Sequence, residues 1–69
     1  MEKQSHIALA DYIRNEGMKK QHFARMVGVG GPNLSRWLSG KVRPERPTRI
    51  LIEILTKGAV KADGWSDGV

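Results

Sequence analysis

The stretch from Phe23 to Gly40 leaves this chain few choices of fold. Phe23, Ala24 and Val27 recur at i, i+1 and i+4, and Leu34, Trp37 and Leu38 at i, i+3 and i+4, so each set lines one face of a short helix. Between them stands Gly28-Val29-Gly30-Gly31-Pro32. Gly28 can take the positive φ that ends one helix, and Pro32 fits only the first turn of the next. Small Ala24 admits a close neighbour, and Val29 offers an apolar side chain from within the break. Two helices joined through a few glycine-containing residues form a helix-turn-helix, here expected over about 19–39.

The rest of the chain must supply a core for that unit. Sixty-nine residues make one small domain, expected to span 1–69, with no cysteine to staple it. No apolar run approaches the roughly 20 residues of a membrane span, and the polar start does not read as a signal peptide. The expectation is a soluble cytoplasmic domain. The net charge is +5 and unevenly spread. Arg14, Lys19, Lys20, Arg25, Arg36, Lys41, Arg43, Arg46 and Arg49 face only Glu16 and Glu45 within the same span, a net of +7 that leaves −2 for the two ends. Positive charge gathered around a helix-turn-helix is the footprint of a polyanion binder.

Taken in order, Ser5 suits the N-cap of a first helix whose buried stripe is Leu9, Ala10, Tyr12 and Ile13, with Gly17 at its C′ position. His6 has Leu9 and Ala10 at i+3 and i+4, so it reads as a solvent-exposed histidine and not as a metal ligand. The second helix should run from Lys19 or Lys20 to about Val27. Lys19 at its N-cap cannot accept a hydrogen bond, and two lysines oppose the positive helix end; a docked phosphate would relieve both. The third helix, about 31–39, turns Leu34, Trp37 and Leu38 to the core, leaving Asn33, Ser35, Arg36 and Ser39 outward. Gly40 closes it, and a basic loop bounded by Pro44 and Pro47 follows. A fourth helix should begin between Glu45 and Pro47 and end near Gly58, with Leu51, Ile52 and Leu55 inward. Ile50 and Ile54 make a second apolar strip, a reason to expect a partner. Ala59-Val60 reads as extended and 61–65 as a single turn. Val60 and Trp65 either seal the core or extend the partner face, and 66–69 should fray.

Phe23-Ala24, Gly28-Val29, Leu34-Ser35-Arg36-Trp37, Gly40 and Arg43-Pro44 together resemble the helix-turn-helix of phage Cro and CI-type repressors and related small bacterial regulators. The resemblance extends through Leu9-Ala10-Asp11-Tyr12-Ile13 upstream and through Ile52-Glu53, Thr56, Gly58-Ala59-Val60 and Trp65 downstream. It implies an all-α fold, a compact bundle of four to five short helices of the lambda-repressor-like type. It also implies that Lys20 and Gln21 meet DNA phosphate. Lys41 and Arg43 in the basic loop are the next phosphate candidates, with Gly31 and Ser39 added at the two ends of the third helix. Base edges fall to Asn33 and Arg36, since Arg pairs with guanine and Asn with adenine through two hydrogen bonds each. Ser35 reads weakly, and Pro32 can touch a thymine methyl. Relatives often carry polar residues where Gly31 and Pro32 stand, so few base contacts plus DNA shape are expected to set the readout.

The function implied is a sequence-specific double-stranded DNA regulator, a repressor acting by occupancy of a pseudo-palindromic operator in a bacterial or phage-infected cell. A homodimer, formed in solution or only on DNA, would carry Ile50, Ile54 and Trp65 at its contact. The alternative is an antitoxin-type interaction module using the same three residues for a toxin partner while repressing its own operon. An enzyme is not expected. Two histidines give no paired acid–base cluster, no metal-ligand set is present, and Gly28, Gly30 and Gly31 do not follow a strand as a dinucleotide fingerprint would. No cofactor, metal, membrane or small-molecule ligand is expected.

Overall fold

A computed structural model describes residues 4–65, which form four α-helices and one 3-10 turn, with no strand among the described residues. They are α1 (Ser5–Asn15), α2 (Lys20–Val27), α3 (Gly31–Leu38), α4 (Arg46–Leu55) and the turn Ala62–Gly64. The all-α bundle expected from the sequence is what the chain adopts. The proposed frayed tail, 66–69, lies outside the described residues.

Local signals account for the helix ends around the central break. Gly28 sits at φ 88°, and its N–H and that of Val29 both donate to the Ala24 carbonyl, at 2.8 and 2.9 Å. The Gly28 N–H also donates to the Arg25 carbonyl at 3.2 Å, so two carbonyls near the helix end are occupied. Pro32 lies in the first turn of α3, where a missing N–H costs nothing. α2 then packs on α3, α1 on α3, and the 3-10 turn on α4 and α1. The core where they meet is Leu9, Ile13, Phe23, Ala24, Leu34, Trp37, Ile52, Val60 and Trp65.

Three expectations for α1 need correction. Ala10 is exposed, so the buried stripe is Ser5, Leu9 and Ile13 at four-residue spacing, with Tyr12 half-buried beside it. Ser5 is not the N-cap; Gln4 holds that position without a side-chain bond. The Ser5 hydroxyl instead donates to the Lys61 carbonyl, 56 residues away, tying the start of the chain to its last turn. A methyl on Gly64 would collide with that hydroxyl. His6, expected in solvent, is half-buried, and its ring lies against Gly40. Gly40 has φ 80°, and a Cβ there would stand 2.9 Å from His6 Nε2. Glycine is needed at position 40 both for the backbone and for the imidazole.

α4 departs from its expected core face as well. Ile52 is fully buried, but Leu51 is 37 % exposed and Leu55 only partly covered. After α4 the buried Thr56 hydroxyl donates to the Ile52 carbonyl at 2.8 Å and accepts the Val60 N–H at 3.2 Å, which holds Val60 in the core. Lys57 then takes φ 55° while the Gly58 N–H reaches back to the Glu53 carbonyl at 2.8 Å. A left-handed conformation costs a side-chain-bearing residue about 1–2 kcal/mol, offset in part by the greater freedom of glycine when unfolded. Lys57→Gly is therefore expected to stabilise the domain by about 0.5–1 kcal/mol, read as a higher urea midpoint. A lower midpoint would mean that the lysine side chain supplies more than its backbone costs.

Candidate nucleic-acid interface

The sequence from Gly17 to Pro44 contains no Asp or Glu but six cations, Lys19, Lys20, Arg25, Arg36, Lys41 and Arg43, and all six are exposed. They are distributed over the start and end of α2, the outer side of α3 and the loop that follows it. The described acids, Asp11, Glu16, Glu45, Glu53 and Asp63, belong to α1, its following turn, and the chain beyond Pro44.

At the start of α2, Lys19 is the N-cap, with extended backbone and no side-chain cap bond, and no acid occupies the first turn. Lys20 and Gln21 are exposed there. The helix thus presents unpaired N–H groups next to two ammonium groups, the combination that favours a phosphate. Arg25 lies one turn beyond Gln21 on the same side and is also exposed. The four-residue interval from Gln21 already marks it as part of this strip, although it was not among the site residues expected from the sequence.

α3 has the same kind of beginning. Its N-cap is Gly30, without a side-chain bond, and no acid stands in its first turn. Leu34 and Trp37 are buried, Trp37 at 7 % exposure, so the ring is core and not a stacking platform for bases. Pro32, Asn33, Ser35 and Arg36 are all exposed, and Gly31 is half-buried. Asn33 and Arg36, three residues apart, share one strip of the helix surface.

The end of α3 is more committed than the sequence suggests. Ser39 is exposed, but its hydroxyl donates to the Arg36 carbonyl at 2.8 Å and accepts the Lys41 N–H at 3.3 Å. With its one proton given to the helix, Ser39 serves as a brace between α3 and the loop rather than as a donor to phosphate. Pro44 is buried and pins the loop, leaving Lys41, Val42 and Arg43 exposed beside the end of α3. Gly40, seated on the His6 ring, couples that same end to α1.

The residues expected at a partner face divide. Ile50 and Ile54 are 42 % and 66 % exposed. Trp65 is not on that surface: at 6 % exposure it belongs to the core, because the 3-10 turn folds it back onto α1 and α4. Leu51, assigned inward by spacing, takes its place outside.

Among the described residues no group of three or more His, Asp or Glu side chains is placed to hold a metal ion. A shallow open depression at the α1–α2 turn is lined by Glu16, Gly17, Met18, Lys19 and His22. No described helix is long and apolar enough to cross a membrane. No family model, no curated protein and no solved structure matches the chain, so its own geometry carries the functional reading.

Proposed function

We propose that this chain is a sequence-specific double-stranded DNA-binding regulator, a repressor of the Cro and CI type that works by occupying its operator. The observation that carries the reading is the acid-free span from Gly17 to Pro44, whose six cations are all exposed and which holds two helix N-termini without side-chain caps. Lys20, Gln21, Gly31, Lys41 and Arg43 hold phosphates, and Pro32, Asn33, Ser35 and Arg36 meet base edges. Two copies sit on a pseudo-palindromic site, and the compartment is the cytoplasm of a bacterial or phage-infected cell.

Selection from a random duplex library tests this directly. The expected product is an inverted repeat with half-sites about 10 base pairs apart, one helical turn. Failure to enrich any sequence would overturn base readout by α3. Within the selected site, Arg36→Ala is expected to remove about 1–3 kcal/mol of discrimination at one base pair while leaving the circular dichroism unchanged. Lys41→Ala should instead weaken selected and random duplexes alike. A folding defect in Arg36→Ala would contradict its exposed position.

A second reading, an interaction module that also represses its own operon, is favoured by the apolar strip on α4, where Ile50, Leu51 and Ile54 are all exposed.

A further inference from the structure

Six large apolar side chains are exposed among the described residues. Ile7, Met26 and Val42 stand singly on α1, on α2 and in the loop, which is ordinary for a protein surface. The other three, Ile50, Leu51 and Ile54, share one side of α4, away from the buried Ile52. Pro47, also exposed, precedes Ile50 by three residues and Leu51 by four, so helical geometry extends the strip by one more apolar residue. A contiguous apolar surface of this kind marks a contact with another molecule.

The charges on its rim select among occupants. Arg46 lies one turn before Ile50 and Lys57 follows Ile54 at the helix end, both exposed. The one acid of α4, Glu53, is turned to its own chain, where its Oε1 accepts the Ala62 N–H at 2.9 Å. A second copy of this chain would bring cation onto cation. Antiparallel two-fold pairing sets Arg46 of one copy opposite the Lys57 end of the other, and parallel pairing sets each cation opposite itself. A lipid surface would accept the charges, but binding there scales with the apolar area buried, and four partly exposed residues flanked by two cations offer little of either. An acidic helix satisfies both features at once, with an apolar stripe laid along Pro47, Ile50, Leu51 and Ile54 and carboxylates beside Arg46 and Lys57.

We propose that the outer face of α4 docks an amphipathic, acidic helix of a partner protein. This deepens the interaction-module reading by naming the chemistry of the partner. Because no DNA enters the test below, its failure is distinct from failure of the DNA-binding reading.

The probes are two synthetic helical peptides with the same leucine stripe, one flanked by glutamates and the other by lysines, titrated into the 69-residue chain labelled with nitrogen-15. The glutamate peptide is expected to shift the amides of α4 and to bind about tenfold or more tightly than its lysine twin, with the difference shrinking in high salt. Ile54→Glu, a change at an exposed position, should abolish binding without altering the helical circular dichroism. Sedimentation of the protein alone should give a monomer. Equal binding of the two peptides, shifts centred away from α4, or no binding of either would overturn the proposal. So would a concentration-dependent dimer lost in Ile54→Glu, which would make the occupant a second copy. Partition onto vesicles of phosphatidylcholine and phosphatidylserine in equal parts, lost in Ile54→Glu and without peptide preference, would make it a membrane.

Discussion

Replacing Phe23 with alanine is expected to destabilise the domain by about 3–5 kcal/mol, the usual cost of emptying a large aromatic site. Phe23 is fully buried and meets Tyr12 edge to face, with ring centroids 6.4 Å apart and planes at 66°. It is the largest fully buried side chain, on a helix that packs against both α3 and α4. A chain of this length commands roughly 3–10 kcal/mol in total, so the variant should be marginal or unfolded at room temperature. Urea titration followed by the fluorescence of Trp37 and Trp65, both buried, measures this. A loss below about 1 kcal/mol would show that α2 and its neighbours close over the cavity, and that Phe23 is not the keystone its burial implies.

The second large effect concerns salt. If two copies each neutralise phosphates with Lys20, Lys41 and Arg43, six counterions are released, and affinity should fall about a thousandfold between roughly 50 and 200 mM monovalent salt. One copy acting alone has half as many contacts, giving a logarithmic slope near −3 in place of about −5. Titrating the selected duplex at several salt concentrations therefore measures both the phosphate assignment and the number of copies. Lys41→Ala should reduce the slope by about one for each copy bound. A slope near zero would remove the electrostatic basis of the DNA reading, whatever sequence had been selected.

These expectations draw on different levels of organisation. The break between α2 and α3 is legible in the sequence because its causes are local. Gly28 is the residue that tolerates a φ of 88°, and Pro32 the one that tolerates the first turn of a helix. The outward position of Arg36 is equally legible, because helical spacing sets it opposite Leu34, whereas Asn33, four residues before Trp37, lies at the edge of the buried stripe and is exposed by the packing. The absence of acids from Gly17 to Pro44 can be read directly from the chain.

Elsewhere spacing is insufficient. Leu51 and Ile52 are adjacent and equally apolar, and which of them is buried depends on where α2 and the 3-10 turn meet α4. Ser5 looks like a cap because its local sequence allows one, yet its hydroxyl bonds to a carbonyl 56 residues away. Ser39 looks like an available donor until its proton is seen to close α3. Trp65 could serve a core or a partner by composition, and only the fold of the last turn sends it inward.

By itself, then, the sequence determined the helices, the break between α2 and α3 and the charge that surrounds them, since each follows from backbone stereochemistry and from spacing within a few residues. Tertiary structure alone decided which apolar face of α4 was left uncovered, which hydroxyls were spent inside the chain, and that His6 would seat the end of α3. Those outcomes rest on contacts between segments far apart in the chain, where burial is shared among several equally apolar candidates and only mutual packing chooses one.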